Sequence, residues 1–227
     1  MRTAPNYLAF SNDFWGGTDN AYRIFTDGNL ENGQSVKLVN EYIARENITD
    51  CWFAAWVHPE IISATQPCRV LPSGQRAFTS QTVIEPVPPV IEGTVFVSVS
   101  ELPPRGGDEY VPITKSEPIA FIGGNTFVYR GRFEIPLAHA ISRAYRTGQL
   151  LRANRVDEAV FEGRTAVELG PEDPRTHLAL GLALVRAEQK EEGRREFERA
   201  VELAKPDPRF RNQEVRAGQE IKRLQSN

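Results

Sequence analysis

Cysteine, histidine and methionine are scarce in this chain of 227 residues, which holds two, three and one of them. Structural zinc sites use four Cys or His ligands in closely spaced pairs, so no metal site is predicted. The two cysteines, Cys51 and Cys68, lie 17 residues apart. They are buried thiols in a reducing compartment or a loop-closing disulfide in an oxidising one, and the residues alone leave both readings open.

Long apolar runs and recognisable catalytic motifs are also absent from the sequence. No stretch approaches the roughly 18 consecutive apolar residues of a membrane-spanning helix, and the start lacks the basic-then-apolar layout of a signal peptide. There is no G-x-S-x-G elbow, Walker loop, dinucleotide-binding fingerprint or H-E-x-x-H motif. We therefore predict a soluble chain with no cofactor and no catalytic residues.

The charge pattern argues against a nucleic-acid partner. The net charge is −3, with 10 basic and 15 acidic residues in 1–135 and 17 basic and 15 acidic residues in 136–227. In the second part the signs alternate along the sequence, which is typical of solvated helix faces and unlike a basic stripe.

The C-terminal part repeats itself with a period of 34 residues. Residues 156–174 read VDEAVFEGRTAVELGPEDP, and residues 190–208 read KEEGRREFERAVELAKPDP. This period is the signature of tetratricopeptide (TPR) repeats, helix pairs that bury their apolar stripes by stacking on their neighbours. Such repeats form concave surfaces that hold other proteins, so we expect a protein partner on this surface.

Small residues recur where two helices must approach closely, and prolines follow the second helix of each pair. The small residues are Ala159, Ala166, Gly181 and Ala200, with Phe197 filling the space between, and the prolines are Pro171 and Pro206. We predict helices over 137–153, 155–169, 174–188, 190–204 and 209–224. The last should cap the stack with a polar outer face, made basic by Arg209, Arg211, Arg216, Lys222 and Arg223.

The region before the repeats shows strand patterns. YRIF at 22–25 and CWFAAWV at 51–57 are predicted strands, and residues 34–46 between them have the spacing of an amphipathic helix. A strand, a helix and a second strand at this spacing in the sequence predict a βαβ unit with parallel strands.

The rest of this region reads as a strand, a hairpin and an irregular segment. GTVFVSVS at 93–100 alternates as a strand, and PIAFIGGNTFVYR at 118–130 predicts a hairpin that turns at Gly-Gly-Asn. Prolines make 59–89 a predicted irregular excursion. The fold class is therefore an α/β N-terminal domain with a small mixed sheet over 1–135, followed by an all-α TPR-type helical hairpin array over 136–227.

A few polar residues are candidates for a site. Asp27 and Glu31 could bind a cation or act as an acid–base pair; alternatively, Asp27 forms an Asx-turn and Glu31 sits in the first turn of a helix. His58 follows a predicted strand at its carboxyl end, where α/β proteins often place active residues, although it can equally be structural. His139 and His177 lie on predicted helices and are expected to be packing or surface residues.

Several N-terminal blocks together resemble the soluble C-terminal region of bacterial GT-C-type membrane glycosyltransferases, similar to the dolichyl-phosphate-mannose–protein mannosyltransferase family. The first matching residues are Asn12, Gly16, Gly17, Tyr22, Arg23, Asp27, Asn29, Leu30, Gly33 and Gln34. The later ones are Gly93, Ser98, Leu102, Pro118, Ile122, Gly123, Val128 and Tyr129. The chain departs from the family pattern at Gly28, Glu31, Asn32 and Ser35, which weakens any ligand role of the acidic cluster.

The resemblance implies an accessory module and no transferase activity in this chain. The catalytic carboxylates of such enzymes lie in loops of their membrane part, which this sequence does not include. TPR repeats often follow the soluble region that this chain resembles. It implies a periplasmic module, tethered to the inner membrane through an upstream transmembrane region of the parent protein. It also favours a disulfide between Cys51 and Cys68.

Three functions follow as hypotheses. The first is a non-catalytic extracytoplasmic module whose TPR part binds a protein. The second is a module that binds a carbohydrate or a lipid-linked sugar through Trp15, Trp52 and Trp56 if they are exposed, with polar contacts from Asp27, Asn29, Glu31 and Gln34. Trp52 and Trp56 are four residues apart and share one face of the predicted strand, which favours core packing for these two. The third is a small enzyme that uses Asp27, Glu31 and His58. If the chain is complete as given, a cytoplasmic TPR scaffold is expected instead.

Overall fold

The computed structural model describes residues 36–55, 59–72, 85–103 and 106–226. These residues fall into two compact units. The sheet unit contains the described residues up to 72 together with those from 90 to 134, and the helical unit contains 85–89 and 135–226. The sequence analysis assigns 85–89 to the first domain, whereas the structure groups this segment with the helices.

The sheet unit alternates short helices and strands. In chain order its elements are α1 (Val36–Arg45), β1 (Cys51–Ala54), α2 (Pro59–Thr65), β2 (Cys68–Val70), β3 (Val90–Ser98), α3 (Val111–Thr114), β4 (Ala120–Ile122) and β5 (Thr126–Glu134). In the described residues the strands form one sheet in the order β2-β1-β3-β5-β4. β1 runs parallel to β2 and β3, while β5 runs antiparallel to β3 and β4. The predicted small mixed sheet is confirmed.

One face of this sheet carries the main core of the unit. Phe53 and Phe96 lie side by side on β1 and β3, with ring centroids 5.8 Å apart, and Tyr42 from α1 meets Phe96 edge-on at 6.0 Å. Val39 of α1 and Ile62 of α2 are fully buried against the same cluster. Both helices therefore pack on this face of the sheet through buried apolar residues.

One prediction in this region needs correction. The segment 59–89 is not irregular throughout, since α2 and β2 lie within it. Pro59 is the first residue of α2, where its missing N–H costs nothing, and β2 is too short to show a period. β1 is described only as Cys51–Ala54, and the predicted strand at 22–25 lies outside the described residues.

The strand over 93–100 and the hairpin over 118–130 are confirmed with shifted ends. β3 begins at Val90, and β4 and β5 are joined by a turn in which Gly123 and Gly124 have φ of +58° and +73°. A positive φ is accessible to glycine without steric strain, which explains the Gly-Gly pair at this turn.

The helical unit consists of consecutive helices that pack on one another. Its elements are α4 (Pro136–Arg152), α5 (Val156–Leu169), α6 (Pro174–Arg186), α7 (Lys190–Ala204), a 3₁₀ turn (Pro208–Phe210) and α8 (Arg211–Gln225). All five helices predicted for this region are present. The third ends at Arg186, before the predicted residue 188, because Glu188 has a left-handed φ of +60°.

The predicted small residues occupy the close helix contacts. Ala159, Ala166 and Ala200 are completely buried. A side chain on Gly181 would place its Cβ 2.5 Å from Cε1 of Phe197, so the ring of α7 lies directly on the backbone of α6. The 34-residue period therefore reflects a recurring need for short side chains at helix crossings.

The 34-residue period also relates two caps, one at the start of α6 and one at the start of the 3₁₀ turn before α8. Asp173 and Asp207 each accept a hydrogen bond from the backbone N–H two residues later, at 2.9 Å in both cases. The guanidinium of that later residue, Arg175 or Arg209, then folds back onto the same carboxylate. An Asp-Pro-Arg triplet thus forms the same kind of cap in both repeats.

The segment 85–89 lies along α4. The N–H of Val87 donates to Oγ of Ser142 at 3.0 Å, and the ring Nδ1 of His139 donates to the Val87 carbonyl. Glu85 pairs with Arg146 at 3.1 Å, and Val87 is buried. His139 is therefore a packing residue, as predicted, and it holds an extended segment against the first helix of the array.

A groove on the helical unit as the candidate functional site

The candidate residues from the N-terminal sequence lie outside the described part of the chain. These are Asp27, Asn29, Glu31, Gln34 and His58. Their roles remain predictions. Within the described ranges no group of three His, Cys, Asp or Glu side chains could hold a metal ion, and no helix there is long and apolar enough to cross a membrane.

Cys51 and Cys68 form a disulfide. They face each other directly on the neighbouring parallel strands β1 and β2, with Cα atoms 4.3 Å and sulfurs 2.07 Å apart. Both residues are almost fully buried. The bond therefore joins β2, an edge strand of the described sheet, to its neighbour β1 from within the core.

Trp52 is unsuited to stacking on a sugar. Only 4% of the residue is exposed, and the guanidinium of Arg69 lies over its ring at 3.8 Å. Arg69 is held there by Asp50, at 2.7 Å. Trp15 and Trp56, the other two tryptophans considered for sugar binding, lie outside the described residues.

The described residues of the helical unit form a concave groove of about 590 Å³. It is built from alternate helices, α4, α6 and α8, with one residue from the turn after α4. Its lining residues are Gly148, Leu151, Arg152, Asn154, Ala179, Leu182, Arg186 and Arg216. Because α5 and α7 contribute nothing to it, the groove lies on the side of the array formed by the first helix of each pair.

The apolar part of the groove is supplied by residues that also hold the helices together. Ala179 is nearly buried, while Leu151 and Leu182 are half-buried, each packing on a hydrophobic cluster below. The short side chain of Ala179 leaves room between the two leucines. The groove floor is therefore a rigid apolar surface.

The polar part of the groove is cationic. Arg152 and Arg186 are the last residues of α4 and α6 and are 34 residues apart, so they hold the same place in two successive repeats. Arg216 comes from α8. Among the described residues that line the groove, none is acidic.

Asn154 positions one of these cations. It has a left-handed φ of +57°, which ends α4 and turns its side chain toward the next repeat. Its Oδ1 accepts a hydrogen bond of 3.1 Å from Nη2 of Arg186. Arg186 is thus held by a neutral amide, and its positive charge is retained in the groove.

Arginines elsewhere on the array are mostly neutralised by glutamates. Examples are the pairs Arg143–Glu162, Arg164–Glu192, Arg194–Glu198 and Arg199–Glu202. These pairs link neighbouring helices or successive turns of one helix. The balanced charge of the second half of the sequence therefore includes many such ion pairs.

His177 is a buried packing residue, as predicted. Its Nδ1 lies 2.7 Å from Glu196 Oε2, and its Nε2 lies 2.9 Å from the carbonyl oxygen of Pro171. Both partners are acceptors, so the ring satisfies both only when both nitrogens carry protons. Burial disfavours that charge, but the two hydrogen bonds and the Glu196 carboxylate outweigh it and raise the pKa of His177 above its ordinary value.

The residue pattern predicts a concave surface but not this groove, and it places one groove residue elsewhere. It assigns Arg216 to an outward face of the last helix, whereas Arg216 lines the groove. Arg152 and Arg186 were detectable, since two arginines recur at the 34-residue spacing at the ends of two inner helices. Comparisons of the chain with models of protein families, with curated proteins and with solved structures find no match.

Proposed function

We propose that the helical unit is a TPR-type array that binds an extended segment of a partner protein in the groove of α4, α6 and α8. The observation that carries this proposal is the groove itself, in which equivalent residues of successive repeats, such as Arg152 and Arg186, line one continuous surface. A surface built by a repeat suits an extended chain, because each repeat can contact a further part of the ligand.

The packing within the array supports the assignment to the TPR type. The 34-residue period, the glycine-on-phenylalanine contact of Gly181 and Phe197, and the buried alanines all belong to paired helices that stack in sequence. α8 then covers the end of the stack with only Ala217 fully buried, as expected of a capping helix.

The wider context is a proposal that depends on the family resemblance. We propose that the chain is a non-catalytic, extracytoplasmic module of a membrane glycosyltransferase-like protein. The Cys51–Cys68 disulfide supports this location, because disulfides persist in oxidising compartments. Mass spectrometry of protein taken from its native compartment should find no free thiol, and two free thiols would favour a cytoplasmic scaffold.

Peptide selection followed by mutation tests the binding function. Peptides that bind the full chain are selected from a random display library, and their affinities for Leu151→Gln and Leu182→Gln are then measured. We expect both changes to weaken binding about tenfold, since each removes apolar contact from the groove floor. Leu169→Gln is the matched control, because Leu169 is 42% exposed on α5 and does not line the groove.

The selection also has a clear negative result. If no peptide is enriched, or if the enriched peptides bind all three leucine variants as well as the unmodified chain, the groove is not a peptide site. Circular dichroism on each variant shows whether the helices remain folded, so a loss of binding can be separated from a loss of structure.

A further inference from the structure

One asparagine of the sheet unit has the features of a carbohydrate attachment site. We infer that Asn47 is an acceptor for N-linked glycosylation, with the glycan carried on Nδ2 of its side chain. This inference rests on the extracytoplasmic location proposed above and is independent of the groove. Asn47 begins the triplet Asn-Ile-Thr, which is the one Asn-x-Ser/Thr triplet in the sequence.

The triplet lies in the short connection between α1 and β1. Asn47 and Thr49 are exposed, while Ile48 between them is half-buried and packs on the core of the sheet unit. The apolar residue therefore anchors the connection, and the amide and the hydroxyl on either side of it face solvent. No hydrogen bond joins either of these side chains to the described residues, so both groups of the acceptor triplet are accessible.

The end of α1 explains the backbone conformation of Asn47 but not the triplet. Asn47 has a left-handed φ of +52°, and the N–H of Ile48 donates to the carbonyl oxygen of Ile43 at 3.0 Å. Glycine and asparagine both suit this position after a helix, and glycine is the commoner of the two. The turn therefore requires neither a side-chain amide at this position nor a hydroxyl two residues later, whereas glycan attachment requires both.

The disulfide is a second and independent observation on the same stretch of chain. Cys51 follows Asn47 by four residues and is bonded to Cys68. Disulfides persist in oxidising compartments outside the cytosol. N-linked glycans occur on surface loops of secreted proteins, which pass through the same compartments. The triplet and the bond therefore agree on the location in which the modification takes place.

The modification is a group transfer from a lipid-pyrophosphate-linked glycan, carried out by an external transferase. Nδ2 of Asn47 forms a bond to the anomeric carbon of the sugar as the bond from that carbon to the phosphate oxygen breaks. The lipid pyrophosphate leaves with the electron pair of the broken bond. The amide gives up one proton to a base of the transferase, and nothing is oxidised or reduced.

A single tryptic peptide tests the inference in protein isolated from its native compartment. Trypsin cleaves after Arg45 and Arg69, and residues 46–69 contain Asn47 together with both cysteines. Mass spectrometry without reduction therefore reports the glycan and the disulfide on the same peptide. We expect this peptide to carry a glycan and no free thiol. We also expect peptide N-glycosidase to remove the glycan and leave an aspartate at position 47.

Four variants locate the glycan. Asn47→Gln and Thr49→Ala should lose it completely, whereas Thr49→Ser should keep it, because serine also supplies the hydroxyl. Asn212→Gln is the matched control and should keep the glycan, because Asn212 is an exposed asparagine of α8 that begins no such triplet.

The outcomes separate the modification from the location on which it depends. An unmodified Asn47 in a peptide without free thiols overturns the inference and leaves the proposed location standing. An unmodified Asn47 in a peptide with two free thiols overturns both. A glycan that survives Asn47→Gln overturns the assignment to this residue, since the sugar is then attached elsewhere.

Discussion

His177 on α6 lies 2.7 Å from Glu196 on α7, and this pair repeats, 34 residues later, the ion pair of Arg143 on α4 with Glu162 on α5. The same two positions in successive repeats therefore link the first helix to the second through a cation and a carboxylate. In the first pair the cation is permanent. In the second it depends on the protonation of an imidazole.

This difference predicts a pH dependence of stability in the second pair. The raised pKa of His177 means that the folded state binds the proton more tightly than the unfolded state does. Its stabilising contribution is complete below the ordinary histidine value of about 6.5 and is lost as the pH rises through the raised pKa. Arg199 on α7 lowers the pKa of His177, whereas Glu196 and the Pro171 carbonyl raise it.

Urea unfolding of the protein across this pH range measures the effect. We expect the free energy of unfolding to fall as the pH rises, and we expect His177→Arg, which recreates the Arg143–Glu162 pair, to remove most of that fall. His139 is present in both proteins and cancels in the comparison. An identical pH profile for the two proteins would contradict the role of His177.

The two Asp-Pro-Arg caps give a second prediction, because they differ in burial. Asp173 and Arg175 are 6% and 3% exposed, whereas Asp207 and Arg209 are about one quarter exposed. Asparagine still caps a helix but cannot neutralise the guanidinium. Asp173→Asn should therefore cost about 3–5 kcal/mol, because it removes the carboxylate from a buried ion pair, and Asp207→Asn about 1 kcal/mol.

Thermal or urea unfolding of the two asparagine variants checks this order. Each variant serves as the control for the other, since the substitution and the motif are the same. Equal costs would mean that burial of the Arg175 guanidinium does not govern the stability of its cap.

The third prediction concerns two helix glycines, whose substitution by alanine should change the stability of the protein in opposite directions. Gly181→Ala would bring its Cβ within 2.5 Å of the Phe197 ring and should destabilise the array by about 1–3 kcal/mol. Gly218→Ala on α8 meets no atom within 4 Å and should stabilise the protein by about 0.5–1 kcal/mol, because alanine favours the helix. Changes of the same sign would contradict the packing described for α6 and α7.

The disulfide gives a fourth prediction. Cys51 and Cys68 close a loop of 17 residues, for which the loss of chain entropy in the unfolded state stabilises the fold by about 3 kcal/mol. Reduction with dithiothreitol should therefore lower the unfolding midpoint of the protein. The Cys51→Ala, Cys68→Ala double variant should show no response to dithiothreitol, and an unchanged midpoint in the unmodified protein would show that the bond is not stabilising.

The sequence predicted the helices of the C-terminal region better than the elements of the sheet unit, for a physical reason. Helices such as α5 and α7 carry a local apolar stripe. Prolines mark their ends and small residues mark their contacts. Because the pattern occurs twice, each repeat supports the prediction made from the other. β2 has three residues and α2 has seven. Elements this short owe their structure to tertiary packing, and their sequences contain less than one reliable period.

The candidate groove was only partly predictable. The repeat period indicates that a concave surface exists, but which residues line it depends on the rotation of each helix about its axis. Arg216 illustrates this, because rotating α8 about its axis by part of a turn would exchange an outward position for one in the groove. The placement of Arg186 also depends on its hydrogen bond with Asn154. These two residues are 32 apart in sequence, so local sequence patterns do not predict the bond.

If α4, α6 and α8 present the binding surface, NMR mapping of a bound peptide will locate it in their groove. A peptide from the display selection is added to isotopically labelled protein, and changes in the backbone amide signals are assigned to residues. We expect the largest changes at Gly148, Leu151, Leu182 and Arg186. Changes centred on the outward faces of α5 and α7, at residues such as Phe161 and Arg195, would contradict it.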